Sequence, residues 1–133
     1  MQKKIYKKVK GRQFAVNVCH KIDHPYAITR DSKVYSVNNA KAKTLHLIRG
    51  HTYMFNIVSD TGYEFYFTDS PVGGEKYASL PGCKSTSSGP LLLEVTDHLP
   101  EYFYYQDRNH KYMGGLVLVH SIDEYKQFQQ KKM

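Results

Sequence analysis

The chain has 133 residues, a formal net charge of +7 and an isoelectric point near 9.3, with only two cysteines. This length predicts one domain, residues 1–133, that buries its apolar surface without disulfide staples. No apolar run reaches the length of a signal peptide or a membrane span, so we expect no membrane association and a cytoplasmic or virion location.

The first twelve residues form a basic segment in which lysines alternate with apolar side chains. Residues 3–9 are predicted as an extra edge strand whose lysines resist edge-to-edge pairing. Lysines interleaved with aromatic residues can also follow a nucleic-acid backbone, but the chain contains no cold-shock or RNA-recognition motif. A nucleic-acid partner therefore rests on this segment alone, and a basic face for an acidic protein partner is the alternative.

The remainder of the chain shows the pattern of an all-β protein. Aromatic residues make up 14% of the sequence, including 12 tyrosines, and suit strands. Alternation and β-prone runs predict strands over residues 14–18, 44–48, 52–58, 63–68, 91–96, 102–106 and 112–120. A hairpin-like turn is expected at Arg49-Gly50, and a long loop over residues 69–90. About eight short strands indicate a Greek-key β-sandwich.

A short helix is predicted at the C-terminus, over residues 121–133. Ser121 and Glu124 have the spacing of a capping box, and Ile122 and Tyr125 fall on one helical face. We expect this helix to lie on the sandwich; the alternative is a docking helix for a partner.

The segment Tyr104-Tyr105-Gln106-Asp107-Arg108-Asn109-His110-Lys111-Tyr112-Met113-Gly114-Gly115 is the most specific motif. It resembles the ligand loop of cupredoxins, Tyr-Tyr-Gln-Cys-x-x-His-x-x-Met-Gly-Gly. His110 and Met113 stand where that family has its second histidine and its axial methionine. Asp107 stands where the family has the copper-binding cysteine.

The resemblance extends over most of the chain, roughly residues 14–119, and implies a cupredoxin-like Greek-key β-sandwich. Residues 45–55 resemble the strand, turn and strand before the first copper ligand, and residues 62–68 resemble the segment that carries that ligand. The family's first histidine then aligns with Tyr63, and its neighbouring proline with Glu64. Two of the four expected copper ligands are therefore replaced.

Those replacements leave two interpretations of the site. A blue-copper centre requires a thiolate and two imidazoles, whereas a carboxylate is a hard ligand. In the structural interpretation Asp107 pairs with His110, Tyr63 completes a polar cluster and Met113 fills the core. In the alternative, Tyr63, Asp107 and His110, assisted by Met113, bind Cu(II) or Zn(II) without blue-copper chemistry.

A direct Asp107–His110 hydrogen bond is the contact that separates the two interpretations. No Ser-His-Asp, Cys-His or phosphate-loop spacing is present, so no enzyme class has motif support. We therefore expect a non-enzymatic structural or interaction protein with a degenerate copper site and no required cofactor, acting through a protein partner or self-assembly. Similar small proteins occur in bacteria, marine animals and large DNA viruses, so a virion component is one expectation.

Cys19 and Cys83 are expected to be free thiols, with a disulfide as the alternative.

Overall fold

The computed structural model describes residues 12–20 and 33–123, which form two stacked β-sheets. The first sheet has the strand order β3-β2-β1-β5-β7, and the second has the order β4-β9-β8-β6. The predicted all-β sandwich is confirmed. The strands of the described residues are β1 (Gln13–His20), β2 (Lys33–Val37), β3 (Ala40–Lys41), β4 (Leu45–Ile48), β5 (Thr52–Val58), β6 (Phe65–Thr68), β7 (Gly89–Glu94), β8 (Tyr102–Asp107) and β9 (Gly115–His120).

The chain repeatedly crosses between the two sheets. From β3 to β8 each successive strand lies in the opposite sheet, and only then do β8 and β9 pair as neighbours. Strands β1 and β5 pair in parallel, as do β4 and β9, whereas the other ladders are antiparallel. The segment between β8 and β9 is the one that resembles a copper-ligand loop, and it lies at one end of the sandwich.

Aromatic side chains form the centre of the core between the sheets. Along β8, Phe103 and Tyr105 are fully buried while Tyr102 is exposed, as strand alternation requires. Phe65 of β6 packs its ring against the rings of Phe55 and Tyr105, at centroid distances of 5.8 and 5.7 Å. Aromatic rings from both sheets therefore interdigitate in the core between them.

The hairpin predicted at Arg49-Gly50 is wrong. Strands β4 and β5 belong to different sheets, so this turn is a corner at which the chain changes sheet. The backbone N–H of Arg49 donates to the carbonyl of His120, and that of Gly50 donates to the carbonyl of Val95. These partners lie far along the chain, so the local turn signature could not distinguish a hairpin from a corner.

The predicted terminal elements lie mainly outside the described residues. Of the basic segment, the structure describes only Arg12, so the edge strand predicted over residues 3–9 lies outside the described residues. Of the helix predicted over residues 121–133, the structure describes only Ser121, Ile122 and Asp123. Ile122 and Asp123 are helical, but two residues are too few to support the predicted helix. Within the described ranges, no helix has the length and apolar character needed to cross a membrane.

Candidate functional site

Asp107 is held in place by the pairing of the strand that carries it. It is the last residue of β8 and lies opposite Phe65 of β6. The backbone N–H of Arg108 donates to the Glu64 carbonyl at 2.9 Å, and the Gly74 N–H donates to the Asp107 carbonyl at 2.9 Å. The Asp107 side chain is fully buried, so its carboxylate needs partners from the protein.

Four donors meet the two oxygens of this carboxylate. Oδ1 accepts from the Tyr35 hydroxyl at 2.8 Å and from the Glu64 backbone N–H at 2.6 Å. Oδ2 accepts from the Asn109 backbone N–H at 3.1 Å and is joined to Nδ1 of His110 at 2.7 Å. Because a carboxylate offers about four acceptor positions, these contacts use all of them.

His110 is the exposed member of this cluster. Its side chain is 49% exposed, and its Nδ1 donates to Asp107, so only Nε2 remains available to another group. The ring of Tyr63 packs on it at a centroid distance of 4.8 Å and a tilt of 30°. The structure thus contains the direct Asp107–His110 hydrogen bond that the structural interpretation predicts, with Tyr63 joining through its ring.

Met113 belongs to the hydrophobic core. Its side chain is buried within the main cluster of apolar residues between the sheets. Its backbone carbonyl accepts from the Tyr35 N–H at 2.7 Å, which ties the loop to β2. This placement agrees with core filling by a flexible thioether.

Tyr35 is the site residue that sequence reasoning missed. It is fully buried in β2, and its hydroxyl reaches Asp107 from the opposite sheet. Burial, together with the adjacent Asp107 charge and the hydrogen bond to it, raises the pKa of Tyr35 far above its ordinary value of 10.0. Tyr35 is therefore a neutral donor. The only sequence signal was that Tyr35 falls within residues 14–119, over which the chain resembles the cupredoxin family, and that resemblance gave it no role.

A second missed group surrounds Glu64, which replaces the proline of the cupredoxin motif. Its Oε2 lies 3.2 Å from Nε of Arg108 and also accepts from the Ser85 hydroxyl. The Arg108 guanidinium lies over the Tyr66 ring at 4.4 Å and donates to Ser79. These contacts fasten the 69–88 loop against the site.

The donor arrangement does not fit a blue-copper centre. No thiolate stands at position 107, and Cys19 and Cys83 are free thiols outside the Asp107 hydrogen-bond cluster. Within residues 12–20 and 33–123, no group of three or more His, Cys, Asp or Glu side chains is placed to hold a metal ion. The Asp107 oxygens are already occupied by protein donors.

Comparison with solved structures identifies the architecture. Reduced rusticyanin matches over 83% of this chain and 81% of its own, with 20% identity and a TM-score of 0.50. A rusticyanin carrying substitutions matches over 83% and 79%, also with 20% identity and a TM-score of 0.50. Rusticyanin is a cupredoxin. The chain has a cupredoxin fold.

The cupredoxin fold agrees with the resemblance in the ligand-loop motif. The McoA multicopper oxidase from the hyperthermophile Aquifex aeolicus also matches, over 90% of this chain and 29% of its own, with 14% identity and a TM-score of 0.48. The sequence matches no protein-family model and no curated protein. The cupredoxin fold rests on the two rusticyanin matches, and the ligand-loop resemblance assigns Asp107 and Tyr63 to copper-ligand positions.

Proposed function

We propose that this chain is a non-enzymatic structural or interaction protein, in which hydrogen bonds between side chains and backbone replace the copper centre of the cupredoxin fold. The observation that carries this proposal is the saturation of Asp107 by Tyr35, Glu64, Asn109 and His110. A blue-copper protein uses metal bonds to fasten the ligand loop to the sandwich. Here a buried carboxylate fastens the same loop to both sheets.

Loss of electron transfer follows from the chemistry of the donors. Rapid one-electron transfer by copper depends on a soft, covalent thiolate ligand, which a carboxylate does not supply. A cation at Asp107 would have to displace hydrogen bonds in a site with no exposed carboxylate surface. Displacing them would leave buried donors unsatisfied, at about 1–3 kcal/mol each.

The proposed interaction is with protein, either a second copy or an acidic partner in a larger assembly such as a virion. The net charge of +7 supports an acidic partner, since long-range attraction accelerates encounter with a surface of opposite charge. Sedimentation of the purified chain over a range of concentrations tests self-assembly. A strictly monomeric chain would exclude the second copy as the partner and leave the acidic protein partner.

A second candidate function is weak binding of Cu(II) or Zn(II) at His110. The observation that favours it is the half-exposed imidazole, which contacts Asp107 through Nδ1, leaving Nε2 as its other nitrogen, and whose ring packs on that of Tyr63. A single imidazole is a poor anchor, because stable zinc sites use three or four protein ligands. This candidate requires Asp107 or Tyr63 to move toward the metal.

Calorimetric titration of the tag-free chain with Cu(II) and Zn(II) separates the two functions. The Asp107→Ala and His110→Ala variants are titrated alongside, and circular dichroism checks that each is folded. We expect the heats to be the same in wild type and in both variants, because neither residue is a metal ligand. Binding of one equivalent that disappears in both variants would overturn the proposal and establish the metal function.

A further inference from the structure

We propose that His46 and His120 form a surface site that chelates one borderline divalent cation of the Cu(II) or Zn(II) class. The two residues lie on β4 and β9, which pair in parallel at the edge of the second sheet. This pair is separate from the Asp107 cluster in residue composition and in position. His120 is the last residue of β9, whereas the ligand loop ends at Gly115, the first residue of that strand.

The sheet register places the two imidazoles side by side. His46 is opposite Leu118, and His120 is two residues further along the same strand. Residues two apart on a strand point to the same face, so both rings stand on the outer face while Leu45 and Leu47 fill the core. His46 is exposed and His120 is partly exposed, so solvent ions reach both.

The ring geometry is close to that of a bidentate ligand. Nδ1 of His46 and Nε2 of His120 are 2.9 Å apart, and the ring planes differ by only 15°. Zinc–imidazole bonds of about 2.0–2.1 Å place two nitrogens about 2.9 Å apart at a right angle and about 3.4 Å apart at a tetrahedral angle. Rotations of roughly 35–45° at each ring would turn the two facing nitrogens from each other toward one ion.

The shared hydrogen of the pair does not prevent chelation. In the hydrogen-bonded state one of the two facing nitrogens carries a hydrogen. On binding, that hydrogen moves through solvent to the other nitrogen of the same ring, so two neutral imidazoles become two ligands without a net change in protons. Imidazole nitrogens are well suited to copper and zinc.

The surroundings set the strength of the site. No third His, Cys, Asp or Glu completes it among the described residues, so water fills the remaining coordination positions. Arg49 follows β4 and brings a positive charge, but its Nη1 donates to the carbonyls of Thr96 and Leu99, which partly offset that charge. The affinity therefore comes mainly from the second imidazole, whose binding is intramolecular once the first has bound.

Calorimetric titration of the full chain with Cu(II) and Zn(II) tests the pair, using His46→Ala and His120→Ala. His98→Ala is the matched control, because His98 is a separate exposed histidine in a turn. We expect one equivalent to bind the wild type and the control alike. Each pair variant should weaken binding by about a hundredfold, since the chelating second contact is lost. Electron paramagnetic resonance of bound Cu(II) should report two nitrogen ligands in the wild type and one in each pair variant.

The outcomes also distinguish this site from the Asp107 cluster. Binding that is lost in His46→Ala and retained in His110→Ala supports the pair and leaves the proposed function unchanged. Binding that is lost only in His110→Ala, or that is absent from the wild type, overturns the pair. Because His46 is exposed, His46→Gln supplies a second variant with similar bulk, and a urea midpoint shows whether each variant is folded.

Discussion

The hydroxyl of Tyr35 in β2 donates to Oδ1 of Asp107 in β8 at 2.8 Å, so one buried hydrogen bond joins the two sheets. The residues are 72 positions apart, and both are fully buried. A hydrogen bond to a charged acceptor contributes more to stability than a hydrogen bond to a neutral acceptor. Removing either partner also leaves the other buried without a hydrogen-bond partner at that position. This contact connects the ligand loop to the opposite sheet.

Unfolding free energies should show strong coupling between these two residues. Tyr35→Phe removes one of four donors and should cost about 1.5–3 kcal/mol. Asp107→Ala leaves the hydroxyl and two backbone N–H groups without an acceptor and should cost about 3–5 kcal/mol. In urea titrations of the double-mutant cycle, we expect a coupling energy of about 1–3 kcal/mol.

Tyr102→Phe is the matched control for this cycle, because Tyr102 is 59% exposed. It should change stability by no more than about 0.5 kcal/mol. Additive effects of Tyr35→Phe and Asp107→Ala would mean that the inter-sheet hydrogen bond contributes nothing specific.

Stability should fall above pH 10 because burial raises the pKa values of three tyrosines, most strongly those of Tyr35 and Tyr105 and less that of Tyr66. Burial, with the Asp107 charge as the next cause, raises the pKa of Tyr35, and burial alone raises the pKa of Tyr105, both from 10.0. Above pH 10 the unfolded chain loses these two protons while the folded chain keeps them. The stabilisation is therefore complete below pH 10 and declines by up to about 1.4 kcal/mol per pH unit per tyrosine.

Urea midpoints measured from pH 8 to pH 11 check this dependence. Tyr35→Phe and Tyr105→Phe should each reduce the fall in unfolding free energy above pH 10 by the contribution of one proton, about 1.4 kcal/mol per pH unit. Tyr102→Phe should leave this pH dependence unchanged. A slope that is the same in all three variants would contradict the assignment of the proton linkage to the buried pair.

Local patterns predicted seven of the nine described strands, missed β2 and β3, and did not give the strand partners. Alternation placed β1, β5 and β8 within two residues of their observed ends, because each strand buries one face. The turn at Arg49-Gly50 was misassigned, since two apolar runs separated by a short polar gap look alike whether they pair or change sheet. Only the long-range hydrogen-bond acceptors, the carbonyls of Val95 and His120, distinguish a corner between sheets from a hairpin at this turn.

The site was predictable only where its contacts are local. Asp107 and His110 are three residues apart in one motif, so their hydrogen bond could be predicted from sequence. The contact from Tyr35 could not, because it depends on how the two sheets stack. The His46–His120 pair was missed for a similar reason, since it requires the parallel register of β4 and β9.

Gly114 should not tolerate a methyl group. A Cβ at this position would lie 1.4 Å from the carbonyl oxygen of Tyr105 and 3.0 Å from Cα of Gln106, and neither backbone atom can move freely. We expect Gly114→Ala to cost at least about 3 kcal/mol in urea unfolding, because the clash separates the loop from β8.

Gly62→Ala is the control for Gly114→Ala, because the same change acts equally on the unfolded chain. A Cβ at Gly62 meets nothing within 4 Å, and only its φ of +98° opposes the substitution. This control should cost about 1–2 kcal/mol. Equal costs at the two positions would show that the close approach at Gly114 is not what excludes a side chain.

Reintroducing the two missing ligands should restore a blue-copper site if the loop retains the cupredoxin geometry. Tyr63→His with Asp107→Cys would combine with His110 and Met113 into the thiolate, two-imidazole and thioether set that such a site requires. Cysteine also removes the carboxylate that now engages Nδ1 of His110, which frees that nitrogen for the metal. On addition of Cu(II), the double variant should develop an intense visible thiolate-to-copper absorption band.

The single variants are the controls for this restoration. Tyr63→His retains the saturated Asp107 carboxylate and should stay colourless with Cu(II), because it has no thiolate. Asp107→Cys lacks the second imidazole and should give at most a weak band. A colourless double variant that is folded and binds Cu(II) would show that the loop has diverged in geometry as well as in ligands. A blue double variant would show that two substitutions separate this hydrogen-bonded cluster from a copper centre, with the supporting fold unchanged.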